Sequence, residues 1–166
     1  MKLKLLSLIG CLLLSTSSWA LSNDTEQPIY INSNSQSLDM KSNRVTFEGD
    51  VTLKQGSINI KADKLIVLRN SEDDSVEVLE AYGKPTTFTQ LTDEGKTLSG
   101  KANVLKYMVA QDLLTMNGDA ELAQDESLIK GTSIRYQIAS QQLMADGKEG
   151  QPVSTILQPA APSEPK

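Results

Sequence analysis

The feature that most constrains this chain is an alternation of apolar and polar residues at a period of two. In Arg44-Val45-Thr46-Phe47-Glu48-Gly49-Asp50-Val51-Thr52-Leu53-Lys54, the residues Val45, Phe47, Val51 and Leu53 fall on one face. The charged and hydroxyl residues fall on the other, and Gly49 breaks the apolar run. The same period recurs in Ile58-Asn59-Ile60, Leu65-Ile66-Val67-Leu68, Val76-Glu77-Val78, Leu105-Lys106-Tyr107-Met108-Val109 and Ile134-Arg135-Tyr136-Gln137-Ile138. Such alternation describes half-buried strands. No stretch of eleven or more residues carries helical spacing. Turn-forming residues separate the segments at Lys41-Ser42-Asn43, Lys54-Gln55-Gly56-Ser57, 70–75, 92–96 and Asn117-Gly118. Many short strands between polar turns predict an all-β sandwich, barrel or solenoid-like roll.

The strands repeat. At a shift of 69 in the numbering, Gly49-Asp50-Val51-Thr52-Leu53 lies over Gly118-Asp119-Ala120-Glu121-Leu122, and Val45-Thr46-Phe47 over Leu114-Thr115-Met116. Ile60-Lys61 meets Ile129-Lys130 at the same shift, and a weaker middle copy sets Lys101-Ala102 against Lys61-Ala62. At a shift of 64, Ala81-Tyr82-Gly83-Lys84 lies over Ala145-Asp146-Gly147-Lys148. The change of shift marks residues 70–75 as an insertion in a solvated turn. A repeated strand-turn-strand unit predicts stacked β layers with a continuous apolar strip inside.

The ends differ from the middle. Lys2 and Lys4, a ten-residue apolar stretch from Leu5 to Leu14, and Ser18-Trp19-Ala20 make a cleavable secretory signal over residues 1–20. Leu8-Ile9-Gly10-Cys11 resembles a lipobox, but the apolar run continues past Cys11. Ten apolar residues are too few to span a bilayer core. Residues 21–157 then form one domain, opening on a polar lead-in over 21–27 and a first strand at Ile29-Tyr30-Ile31. A last strand is expected over residues 153–157. Residues 158–166, rich in proline, have almost nothing to bury and are expected to be a disordered tail.

Composition excludes much chemistry. Among 166 residues there is no histidine, and the one cysteine and one tryptophan, Cys11 and Trp19, lie in the signal. The exported chain therefore lacks disulfides, Cys/His zinc sites, cysteine nucleophiles and histidine triads. Cleavage would move the charge from −5 to −7 and leave residues 21–166. An acidic chain without clustered Lys and Arg is a poor nucleic-acid binder. Ser127-Leu128-Ile129-Lys130 fits a serine–lysine spacing, but that pair needs a helix and sits in strand-like sequence. The carboxylates of Glu72-Asp73-Asp74 and Asp125-Glu126 read as solvated turns, and Asp50 and Asp119 as outward or turn-bonding groups. Lys61, Lys101 and Lys130 recur and would form a ridge on the wet face, where lysines oppose edge-to-edge aggregation. No catalytic residue, metal site or cofactor is expected.

The apolar face is mostly aliphatic: Ile29, Ile31, Val45, Phe47, Leu53, Ile60, Val67, Phe88, Leu105, Val109, Met116, Leu122 and Ile138. Such a strip serves as the core of a small β protein, and its flexible methionine and lack of polar groups also suit acyl chains.

The segments Gln27-Pro28-Ile29-Tyr30-Ile31, Gln36-Ser37-Leu38-Asp39-Met40, Val45-Thr46-Phe47-Glu48-Gly49-Asp50-Val51, Ile60-Lys61-Ala62-Asp63-Lys64 and Tyr82-Gly83-Lys84-Pro85-Thr86-Thr87-Phe88 closely resemble the periplasmic lipopolysaccharide-transport proteins of the organic-solvent-tolerance (OstA-like) family. The resemblance runs from about residue 25 to residue 157. It implies an open, twisted β-jellyroll of stacked antiparallel strands with an apolar groove for lipopolysaccharide. It implies a periplasmic bridge between inner-membrane and outer-membrane transport proteins of the same fold, made by self-association end to end. The edges for such contacts are expected at Ile29, Tyr30 and Ile31, and at Val153, Ser154, Thr155, Ile156 and Leu157. Two other classes share some features. A small outer-membrane β-barrel would need aromatic girdles and longer strands, against six aromatics in the exported chain. A periplasmic hydrolase would rest on Ser127 and scattered carboxylates.

Overall fold

The computed structural model describes residues 21–158. The signal over 1–20, and the expected tail beyond residue 158, lie outside the described residues. Ten strands follow in order: β1 (Ile29–Asn32), β2 (Ser35–Asp39), β3 (Arg44–Gln55), β4 (Ile58–Arg69), β5 (Val76–Leu91), β6 (Thr97–Met108), β7 (Leu113–Gln124), β8 (Ser127–Gln137), β9 (Gln142–Asp146) and β10 (Ser154–Ile156). Short 3-10 helices cover Leu21–Glu26 and Val109–Gln111. All strands belong to one antiparallel sheet in the order β1-β3-β4-β5-β6-β7-β8-β10, with β2 also on β3 and β9 also on β8. No helix of the described residues is long and apolar enough to cross a membrane.

The strands are longer than the alternation suggests. Segments that read as separate, such as Ile58-Asn59-Ile60 and Leu65-Ile66-Val67-Leu68, are two halves of one strand that bends midway. The bends are register shifts at Glu48/Val51 in β3, Lys61/Lys64 in β4, Tyr82/Thr86 in β5, Lys101/Val104 in β6 and Asn117/Ala120 in β7. Asn117-Gly118, expected as a turn, therefore lies inside β7. Its left-handed backbone is real, with Gly118 at φ +78° and Asp119 at +49°, and Gly49 and Asp50 match it at +81° and +47°. A bulge demands such residues as much as a hairpin does, and it bends the strand instead of reversing it.

Each long strand thus gives one half to each of two facing layers. The first layer holds β2, β9 and the halves around Val45, Leu65, Leu79, Leu105, Leu114 and Ile134. The second holds β1, β10 and the halves around Leu53, Ile60, Phe88, Leu98 and Leu122. The layers touch across the interior. The rings of Phe88 and Tyr136 stand 6.3 Å apart at 60°, and a Cβ built at Gly100 would come within 2.8 Å of Met116 Sδ.

The sheet does not close. β1 and β2 pair only with β3, and β9 and β10 only with β8. A closed barrel requires those end strands to meet, so the outer-membrane barrel does not describe this chain. The expected last strand is shorter than residues 153–157, since only Ser154–Ile156 pair. The turn at 70–75 is closed by Asn70 N donating to Ser75 O at 2.8 Å, and residues 71–75 are exposed.

Candidate functional site

The interior is built from ladder rows that run the length of the stack. One row in the first layer reads Leu38, Val45, Val67, Leu79, Tyr107, Leu114, Tyr136, Leu143, from the β2 edge to the β9 edge. A facing row in the second layer reads Ile31, Leu53, Ile60, Phe88, Gly100, Leu122, Ile129, Thr155. Period-two alternation puts every second residue of each strand on these rows. All thirteen residues expected on the apolar face belong here. Val45, Phe47, Leu53, Ile60, Val67, Phe88, Leu105, Met116, Leu122 and Ile138 are buried in the core, and Ile29, Ile31 and Val109 pack against it half-buried. Tyr107 and Tyr136 stay neutral, because burial first, then nearby Asp112 and Asp93 respectively, push their phenols above the usual range.

The two layers are less tightly filled toward the β9/β10 end. A cavity of about 220 Å³ opens there between Leu98, Leu122 and Ile129 of one layer and Tyr136 and Leu143 of the other, with Leu157 at its edge. Gln141 Nε2 donates to Asp93 Oδ2 at 3.0 Å, tying the turns of the two layers across its mouth.

One buried carboxylate escaped the sequence reading. Asp24, in the polar lead-in, is 5% exposed. Its Oδ1 accepts from Ser57 N at 2.7 Å, its Oδ2 accepts from Ser57 Oγ, and Gln90 Nε2 approaches Oδ2 at 3.4 Å. Ser57 Oγ in turn accepts from Leu91 N at 3.0 Å. Gln55 Nε2 donates to the carbonyls of Thr25 at 2.9 Å and Gln27 at 3.0 Å. Gly56 makes room, since a Cβ there would fall 2.2 Å from Asp24 Oδ1. The lead-in is thereby pinned just before β1. Nothing in a polar heptad announces this, because the partners lie some 30 to 66 residues away.

The ends of the stack hold four edge strands, where the sequence reading placed two. Ile29, Tyr30 and Ile31 lie on β1, and Ser154, Thr155 and Ile156 on β10, with Val153 and Leu157 flanking it. β2 and β9 went unrecognised as edges because Ser35-Gln36-Ser37-Leu38-Asp39 and Gln142-Leu143-Met144-Ala145-Asp146 are short and polar. Eight large apolar side chains of the described residues are exposed. Tyr30, Leu38 and Met40 cluster at one end, Met144, Val153, Ile156 and Leu157 at the other, and Leu91 alone lies elsewhere.

The lysine ridge exists as a ladder. Lys61 pairs with Thr87, Thr87 with Lys101, Lys101 with Glu121 and Glu121 with Lys130. Glu121 offsets two of the three charges, at 3.1 Å from Lys101 Nζ and 2.9 Å from Lys130 Nζ. A cleft of about 830 Å³ over the bend sets Lys64, Lys84 and Lys101 beside Asp63, Asp119 and Glu121, a balanced surface rather than an anion site. Ser127 and Lys130 lie on strand β8, three residues apart, where side chains point to opposite faces. Asp50, at the β3 bend, accepts from Asn34 Nδ2 at 3.1 Å.

These features define an open-ended, bent β-sheet with an apolar interior and unpaired edges at both ends. Residues 30–142 match the family model described as LptA/(LptD N-terminal domain) LPS transport protein. The chain is 42% identical over 161 residues to lipopolysaccharide export system protein LptA of Escherichia coli K12, covering 96% of this chain and 87% of that one. It is 44% identical over 158 residues to LptA of Haemophilus influenzae, covering 95% and 92%. The crystal structure of LptH, the LptA-homologous periplasmic component of the lipopolysaccharide transport device of Pseudomonas aeruginosa, superposes with a TM-score of 0.75 at 23% identity. It covers 82% of this chain and 99% of that chain. The chain belongs to the LptA/LptD N-terminal domain family of lipopolysaccharide-transport proteins.

Proposed function

We propose that this protein carries lipopolysaccharide through the periplasm, with the acyl chains sheltered between its two β layers. The observation that carries the reading is the apolar row from Leu38 to Leu143, which reaches both open edges without a charged residue. Each methylene exposed to water costs about 0.8 kcal/mol, so a lipid with several acyl chains needs cover along the whole path. Such a carrier needs no catalytic group, and the work of moving the lipid is done elsewhere. Export by the signal over residues 1–20 places the chain in the periplasm.

The bridge is made end to end. Unpaired strands recruit others, and the two ends are different surfaces, so their pairing is heterologous and builds open filaments. The same edges would accept related inner-membrane and outer-membrane transport proteins of this fold. The test is a titration of the purified protein with lipopolysaccharide and with its deacylated glycan, followed by tyrosine fluorescence. Saturable binding of the acylated form alone is expected. Equal binding of both, or of neither, would sink the proposal.

A further inference from the structure

We infer that the Asp93–Gln141 contact is a latch across the mouth between the two β layers, and that it opens when an acyl chain occupies the interior. The inference rests on the lipid-carrier reading and deepens it by naming where the fold parts to admit the lipid.

The two layers are joined along the strand bends. Opposite the bends lies a mouth, rimmed by the turns of each layer. The second layer contributes the β3–β4, β5–β6 and β7–β8 turns, and the first layer the β4–β5, β6–β7 and β8–β9 turns. Each rim is stitched along its own length. In the second layer, the β5–β6 turn is closed by Thr92 N donating to Lys96 O at 2.8 Å and Gly95 N donating to Thr92 O at 2.9 Å. Lys96 Nζ stands 3.0 Å from Asp125 Oδ2 in the β7–β8 turn, and Leu91 N donates to Ser57 Oγ in the β3–β4 turn. In the first layer, Ile138 N donates to Asp112 O at 2.9 Å, and Gln137 Nε2 donates to the carbonyl of Gln111.

Between the rims the stitching is sparse. Among the described residues one hydrogen bond crosses the mouth, from Gln141 Nε2 to Asp93 Oδ2, and no ion pair crosses with it. Both residues are exposed. Water replaces such a bond at little net cost, because each group keeps a partner when the two part. Directly beneath lies the cavity of about 220 Å³, with Gln141 at its lip and Leu98, Leu122, Ile129, Tyr136 and Leu143 as its walls. An apolar cavity of about 150 Å³ holds a benzene molecule, so this one takes a short length of hydrocarbon.

A lipid with a charged, sugar-bearing head cannot be enclosed whole. The interior is built of apolar side chains, and burying a charged or hydroxylated head without partners is strongly unfavourable. The head therefore stays in water while the chains lie between the layers, and the link between head and chains passes through the mouth. A lipid travelling along the stack has to pass the point where Gln141 reaches Asp93, and with a lipid in the gap the two no longer meet. Because each rim is stitched to itself, the β5–β6 and β8–β9 turns separate as parts of their own rims. The bends opposite, with their left-handed residues at Gly49 and Gly118, serve as the hinge.

The test uses the chain carrying Cys11→Ser, so that the introduced thiols are the only ones. Asp93→Cys and Gln141→Cys are combined and joined across the mouth by a reducible bis-maleimide. Lys96→Cys with Asp125→Cys, joined by the same reagent, ties two turns of one rim and is the control. Lipopolysaccharide binding is followed by tyrosine fluorescence before joining, after joining and after reduction. The link between 93 and 141 should weaken binding by about tenfold or more, since it removes the binding-competent state. Reduction should restore binding, and the link between 96 and 125 should leave it unchanged. In the unjoined chain, Gln141→Ala should speed association by about two- to tenfold, the range for one net hydrogen bond. Unchanged binding across the 93–141 link, an equal loss with the 96–125 link, or slower association of the Gln141→Ala chain overturns the latch and leaves the carrier reading standing. An unsubstituted chain that does not bind lipopolysaccharide overturns the carrier reading, and the latch with it.

Discussion

Asn34 and Asn103, equivalent under the internal repeat, hold the same place beside a bend: a Cβ at Gly49 would lie 2.6 Å from Asn34 Nδ2, and one at Gly118 would lie 2.7 Å from Asn103 Nδ2. Both glycines have φ near +80°, so each bend needs glycine for its backbone and again for its neighbour. Gly118→Ala should lower stability by about 1–3 kcal/mol. Gly95, at φ +75° with nothing within 4 Å of its Cβ, is the control, and Gly95→Ala should cost about 1 kcal/mol. Urea unfolding measures both. Equal losses would mean that the Asn103 contact is immaterial.

The Asp24 clamp predicts a local defect. Asp24→Ala leaves Ser57 N and Gln90 without their acceptor and should cost about 1–3 kcal/mol. The loss should concentrate at the lead-in and β1, where four ladder pairs to β3 remain. Hydrogen exchange is the measurement. Faster exchange of the Ile31 amide with unchanged exchange in β4 to β7 is expected, and a uniform change throughout would contradict the clamp.

How much of this was legible in sequence follows from the range of the forces involved. Alternation is local, so the inward face of β3 could be read from it, the repeat carried that face onto β7, and the thirteen residues expected on the apolar face lie in the core or packed against it. The bends could not, because Asn117-Gly118 has the composition of a hairpin turn, and whether such a pair reverses or bends a strand depends on the strands beside it. Asp24 could not, because its partners are brought together only by the fold. β2 and β9 were missed since an edge strand buries little and so carries no apolar signature: all five β2 residues are exposed. The repeat was visible, but the equivalence of β5 with β9 appears only in the pairings, Leu65 with Ala81 and Ile134 with Ala145.

Glu121 should shape the acid side of the stability curve. The Lys130 ammonium first, and Lys101 with it, hold its carboxyl below the ordinary value of 4.5, against the opposing effect of burial. A carboxyl whose folded pKa is depressed contributes stability that is complete above its unfolded value and is lost as pH falls through the folded one. Glu121→Gln should therefore cost up to about 1 kcal/mol at pH 7, as partly exposed pairs do. The difference from the unsubstituted protein should shrink below pH 4.5. Thermal melts at pH 7 and pH 3 test this, and a gap that widens in acid would contradict the assignment.

Ile129 and Lys130 are neighbours on β8 that face opposite ways, one lining the cavity between the layers and the other paired to Glu121 on the outer face. A photo-reactive residue at each position, in cells exporting lipopolysaccharide, measures the path of the lipid most directly. Transport between the layers predicts a lipopolysaccharide crosslink at position 129 and little or none at 130. Crosslinks of equal strength at both, or at 130 alone, would contradict an interior path.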